Sequence, residues 1–186
     1  MSETQQHNTD IAATVLILPG IGDSGPAHWQ SLWQAANPGF QRVAQRDWEH
    51  PVCREWVATL EGSLQKMRGP VVLVAHSLGC LLVAHWAAST TRTVQGALLV
   101  AVPDPLGARF PVEAQGFAPL PRTPLPFPSV LVASSDDPYG SIPHAQACAA
   151  AWGSRWVNIG AAGHINAASG LGHWPAGQAL LQTLRR

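Results

Sequence analysis

Short runs of β-branched and aliphatic residues alternate along this chain with longer stretches in which apolar positions recur every three or four residues. Six short runs predict strands: Thr14–Leu18, Arg42–Gln45, Val71–Ala75, Ala97–Val102, Val130–Ser134 and Arg155–Ile159. Most are apolar along nearly their whole length rather than at every second position, the pattern of a strand covered on both faces. The stretches between them predict helices over Pro26–Ala36, Arg54–Met67, Leu78–Ala88, Pro143–Trp152 and Trp174–Leu184. In the second of these, Trp56, Val57, Leu60, Leu64 and Met67 recur at helical spacing. Pro26 opens the first, with Ser24 nearby as a start signal. Regular strand–helix alternation predicts an α/β domain, a mostly parallel sheet of about six strands with helices on both faces.

Two segments depart from this rhythm. Residues 1–10 are polar and read as a loose tail, which leaves 11–186 as one domain. Residues 103–128 hold eight of the chain's 16 prolines. Proline lacks a backbone donor and breaks helix interiors, so this stretch is expected to run irregularly over the end of the sheet. It is either a plain surface connection or a lid or wall over a pocket.

Composition removes several classes of function. Across 186 residues, 46% are apolar and only 12% charged, a balance that excludes general disorder. Eleven basic residues offset eleven acidic ones, and Lys66 is the sole lysine. Such a chain has no positive field for nucleic acid or an anionic membrane. The low charge density fits a surface rich in small polar residues, or one partly covered by another copy of the chain in a homo-oligomer. No apolar run is long enough to span a bilayer. The first residues carry no basic patch followed by an apolar core, so no secretory signal is expected. Cys53, Cys80 and Cys148 are odd in number and far apart, a poor disulfide framework. The expected setting is the cytoplasm.

Three constellations carry chemistry. In Ala75-His76-Ser77-Leu78-Gly79 a serine sits between a buried strand and a helix. A sharp turn there would push the hydroxyl out of the sheet and place the next N–H at a positive helix start. Ala75 and Gly79 are small enough for such a turn, although the usual pattern has glycine at both places. An ordinary capping serine would look similar. In Ala162-Gly163-His164-Ile165-Asn166, His164 lies in a small-residue loop after the last strand, where open α/β sheets place their sites. It is the candidate base. In Ser134-Ser135-Asp136-Asp137-Pro138-Tyr139 an acid follows another strand. Asp137, held extended by Pro138, is favoured over Asp136 as the partner of the imidazole; Asp104 is a weaker candidate. The order Ser77, Asp137, His164 is that of α/β-hydrolase triads.

Leu18-Pro19-Gly20-Ile21-Gly22-Asp23-Ser24-Gly25 also spells a dinucleotide fingerprint, with Asp47 placed as a ribose acid. A hydride-transfer enzyme needs more chain or its own acid–base set, and the sole tyrosine and sole lysine do not form one. The loop serves better as half of an oxyanion hole, with Ile21 as the N–H donor, Gly22 as the next choice, and Leu78 supplying the other donor. His28 and His76 are expected to shape a substrate pocket, with Gly22 beside them. His76, Cys80 and His85 lack a recognised zinc spacing, so no metal and no cofactor is expected.

The segments LPGIGDSGPAHWQSLW, VAHSLGCLLVAHWA, SSDDPYGSIPHAQACAAAWG and AAGHINAASGLGHWP resemble the small serine hydrolases of the retinoblastoma-binding protein 9/YdeN-like family. The resemblance runs across nearly all of residues 14–184. It implies a compact α/β-hydrolase fold without a large cap, and it places nucleophile, acid and base on Ser77, Asp137 and His164. The alanine at position 75 agrees with this group. No Leu-x-Cys-x-Glu motif is present, so the pocket-protein binding in the family name does not carry over. The expected activity is carboxylesterase-like hydrolysis of a small-molecule ester, amide or thioester through an acyl-enzyme. The alternatives are an acyltransferase and a silent binding protein on the same fold.

Overall fold

The structure is a computed structural model that describes residues 13–186. The six strands are β1 (Thr14–Leu18), β2 (Gln41–Arg42), β3 (Val71–His76), β4 (Gly96–Val100), β5 (Ser129–Ala133) and β6 (Arg155–Asn158). They form one sheet in the order β2-β1-β3-β4-β5-β6, and every neighbouring pair is parallel. The five helices are α1 (Trp29–Ala36), α2 (Cys53–Gln65), α3 (Leu78–Ser89), α4 (Ile142–Trp152) and α5 (Pro175–Leu184). The expected tail, residues 1–10, lies outside the described residues.

The unbroken apolar runs are explained by two separate cores. Alternate strand residues point to opposite faces. Leu16, Leu18, Leu73, Ala75, Leu99 and Leu131 pack with α2, α3 and α4 on one side. Val15, Ile17, Val72, Val74, Leu98, Val100 and Val132 pack with Trp29 and Trp33 of α1 and Leu181 and Leu184 of α5 on the other. The sequence of α3 is apolar nearly all round, and eight of its positions are buried.

Most element boundaries fall within one or two residues of expectation, and three of the differences have clear local reasons. The second strand was expected over Arg42–Gln45 and pairs only through Gln41 and Arg42. It is an edge strand, and Arg42 turns back to bond Asp23, Ser31 and Gln34. The fourth strand stops at Val100 rather than Val102, because Ala101 takes a left-handed φ of 57°. The first helix starts at Trp29 rather than Pro26, and its cap is His28, whose Nδ1 accepts the Gln30 N–H. Ser24 instead donates its hydroxyl to Gln30 Oε1.

Residues 101–128 contain no helix or strand, and a single bridge ties Gln115 to Val52. Buried Phe117 and Phe127 root this excursion in the α2/α3/α4 core. Carbonyls of Phe117 and Pro121 accept from His85 and Trp152. Chain order reverses between β1 and β3, since β2 lies outside β1 while all later strands extend beyond β3. The carboxyl ends at such a switch point open a crevice, and the site lies there.

Candidate active site

Ser77 occupies the turn between β3 and α3 with φ 53° and ψ −123°. That region is sparsely populated by residues with a side chain, and it persists only where the surroundings enforce it. Here the Ser77 N–H donates to the Val100 carbonyl at 2.9 Å, and its own carbonyl accepts from Cys80 at 2.8 Å. Two glycines make room for the turn. A Cβ at Gly20 would lie 2.9 Å from Ser77 Cβ, and one at Gly79 would fall against the Leu18 and Pro19 carbonyls. The Ser77 side chain makes no helix-capping bond. Its hydroxyl meets His164 Nε2 at 2.8 Å.

On the far side of the ring, His164 Nδ1 lies 2.9 Å from both Asp137 oxygens. A carboxylate can only accept, so Nδ1 carries the proton of the neutral ring and Nε2 presents its lone pair to the serine. The Asp137 side chain is 2% exposed and that of His164 11%. Asp137 also accepts the Tyr139 N–H, and the Tyr139 ring packs against the imidazole with centroids 4.6 Å apart. Hydroxyl, imidazole and carboxylate therefore form one hydrogen-bonded chain, which can take the serine proton as the oxygen attacks a carbonyl.

The loop that carries His164 is fixed at many points. Asp136 accepts the Gly163 N–H and the Ser134 hydroxyl, both at 2.7 Å. Ser134 in turn accepts the Ala162 N–H at 2.8 Å. These bonds hold the Asp136 carboxyl below its usual pKa. His76 Nε2 donates to the His164 carbonyl at 2.9 Å, and Trp29 Nε1 donates to the next carbonyl at 2.8 Å. Asp104 is placed elsewhere: it accepts the Leu106 N–H and lies 3.8 Å from His144.

The cleft beside Ser77 has a volume of about 230 Å³. Gly20, Ile21 and Leu78 form one wall, and Pro103, Phe110 and Pro111 of the excursion form another. His28 and His76 also line it. Gly22, expected in the pocket, does not, because its N–H is turned away to the Trp48 carbonyl at 2.9 Å. The same bond withdraws Gly22 as an oxyanion donor. Among the described residues, the N–H groups of Ile21 and Leu78 donate to no other group.

The glycine-rich loop thus serves the cleft. The α1 N-terminus that a dinucleotide phosphate would need is capped by His28, and Asp47 caps its own turn through Glu49 and His50. Among the described residues no group of three His, Cys, Asp or Glu side chains could hold a metal ion, and the three cysteines are free and buried. No helix among them is long and apolar enough to cross a membrane. Sequence reasoning singled out the segment from Ser134 to Tyr139 and the excursion that holds Phe110, but missed the task of each of these residues. The Ser134 hydroxyl bonds Asp136 and the Ala162 N–H, the Tyr139 ring packs on His164 and Phe110 lines the cleft, contacts that only the fold assembles.

Residues 15–183 match the Serine hydrolase family. The chain belongs to that family. Among solved structures it is similar to a YdeN-like hydrolase from Pectobacterium atrosepticum, with 34% identity, coverage of 94% of each chain and a TM-score of 0.82. It also resembles the ydeN gene product of B. subtilis, with 19% identity over 92% of this chain and 98% of that one, at a TM-score of 0.71. BorB, a type II thioesterase from the borrelidin biosynthetic cluster, shares the fold at 19% identity, covering 95% of this chain and 92% of its own, with a TM-score of 0.68. No curated protein sequence matches the chain. This serine hydrolase therefore has the compact α/β-hydrolase fold without a large cap that the sequence motifs implied.

Proposed function

We propose that the protein hydrolyses a small carboxylic ester through an acyl-enzyme on Ser77. The observation that carries this reading is the bond chain from Ser77 Oγ to His164 Nε2 and from His164 Nδ1 to Asp137. His164 takes the hydroxyl proton as Ser77 Oγ bonds to the substrate carbonyl carbon. Negative charge moves to the carbonyl oxygen, where the N–H groups of Leu78 and Ile21 stabilise it. His164 then gives its proton to the departing alkoxide, which leaves as the alcohol. Water attacks the acyl-enzyme, gives a proton to His164, and the acid leaves as the proton returns to Ser77. Asp137 stays ionised throughout and stabilises the imidazolium.

The cleft volume of about 230 Å³ favours short acyl groups. BorB, as a thioesterase of the same fold, extends the reading to thioesters, since the acyl-enzyme step is the same. Three buried free cysteines fit a reducing, cytoplasmic setting. Steady-state hydrolysis of short p-nitrophenyl esters tests the reading. Ser77→Ala should lower kcat by at least about a thousandfold while leaving the fold intact. Activity that survives this substitution removes the proposal.

A further inference from the structure

Two imidazoles in the cleft have no part in that proton relay. His28 and His76 are 4% and 5% exposed, both line the cleft beside Ser77, and their rings meet edge to face with centroids 4.6 Å apart. The backbone locks each in one tautomer. The Gln30 N–H donates to His28 Nδ1 at 3.1 Å, so that nitrogen holds the lone pair and Nε2 carries the proton. His76 Nε2 donates to the His164 carbonyl at 2.9 Å, so the lone pair of this ring sits on Nδ1. Burial opposes a second proton on either ring. It lowers the His28 pKa to about 4, with Arg42 adding to the effect, and lowers that of His76 well below the ordinary value.

Both rings line the cleft and each has a fixed polarity, His28 as a neutral donor through Nε2 and His76 as a neutral acceptor through Nδ1. Among the described residues, His28 Nε2 is buried and has no hydrogen-bond partner. Buried donors are almost always satisfied, so an orphan in the wall of a ligand cleft calls for a partner from the ligand. We propose that His28 and His76 form a subsite that reads a hydroxyl group on the substrate. The hydroxyl oxygen accepts from His28 Nε2–H, and its proton is donated to His76 Nδ1. A carboxylate would face the His76 lone pair and an ammonium would face the His28 N–H, so both are disfavoured. An unsubstituted alkyl chain would leave both nitrogens unmatched.

The inference rests on the proposed hydrolysis, and the test separates the two. One series compares p-nitrophenyl butyrate with its 3-hydroxy and 3-methoxy derivatives. A second compares propyl, 2-hydroxyethyl and 2-methoxyethyl butyrate, which carry the variation on the alcohol. Turnover of the plain esters, and its loss in Ser77→Ala, reports on the hydrolysis alone. The subsite predicts that in at least one series the hydroxylated ester exceeds both others in kcat/KM by about tenfold or more. A methoxy oxygen can accept but cannot donate, so it should not rescue the preference. His28→Asn can still cap Gln30 and cannot place a donor where Nε2 lies. In that variant the hydroxyl-to-plain ratio should fall to about one. No preference in either series of the wild-type protein, or a preference unchanged in a folded His28→Asn, would overturn the subsite. Should that variant not fold, the wild-type hydroxy-to-methoxy ratio decides the matter, and equal rates count against it.

Discussion

The Asp136 carboxylate accepts the Gly163 N–H at 2.7 Å, one residue before the imidazole that Asp137 holds. Two adjacent acids thus grip the same loop, one by its backbone and the other by its ring. The arrangement separates orientation of the loop from orientation of the base.

That division of labour predicts different penalties for the two acids. Asp137→Asn removes the carboxylate that sets the tautomer and stabilises the imidazolium, so kcat should fall by about 10⁴-fold. Asp136→Asn keeps an acceptor for the Gly163 N–H and should reduce kcat severalfold at most. Asp136→Ala releases the loop and should lower kcat by about tenfold to a hundredfold, since misplacement by about 1 Å has that effect. Steady-state kinetics on the three variants checks the ranking. Equal losses for Asp136→Ala and Asp137→Asn would refute it.

The tight turn at Ser77 predicts an asymmetry between its small neighbours. A methyl group at Gly79 meets the Leu18 and Pro19 carbonyls, which belong to the central sheet and its exit and have no room to retreat. Gly79→Ala should destabilise the fold by about 3 kcal/mol or block folding, as overpacking against backbone does. Ala75→Gly removes only one buried methyl and should cost about 1 kcal/mol. Urea midpoints of the two variants measure the contrast.

Acid should weaken the fold through the buried imidazoles. His28 has its pKa lowered to about 4 in the folded protein, from an ordinary 6.5. Between these values the unfolded chain binds the proton and the folded protein does not, so stability falls as pH drops from 6.5 to 4. The penalty is complete below the folded pKa and amounts to roughly 3 kcal/mol for His28. His76 is shifted in the same direction and adds to it. Urea unfolding at pH 7.0 and pH 4.5 should show the drop, and His28→Asn should show a smaller one. An unchanged slope in that variant would locate the effect elsewhere.

The parts of this architecture that were legible in the chain are those with a single physical cause. Strands β1, β3, β4 and β5 stand out because both faces are buried and all but a terminal residue or two are apolar. The edge strand β2 does not, because Gln41 and Arg42 are polar and Arg42 is recruited by Asp23 and Ser31. Ser77 and His164 could be singled out because small residues lie two positions either side of Ser77 and just before His164, and each follows a strand. Asp137 could be favoured over Asp136 as the partner of the imidazole because Pro138 holds it extended, but the task of Asp136 could not be read, because its bond to the Gly163 N–H exists only once the loop is in place. The same holds for His28 and His76, whose tautomers depend on Gln30 N–H and the His164 carbonyl rather than on any spacing.

Labelling with a fluorophosphonate probe, followed by peptide mapping, tests the central claim most directly, because the probe reacts only with a serine that its surroundings have activated. The account predicts one adduct, on the Ser77 hydroxyl, and no adduct in Ser77→Ala. An adduct on another residue, or none at all in folded protein that still hydrolyses the ester, would contradict it.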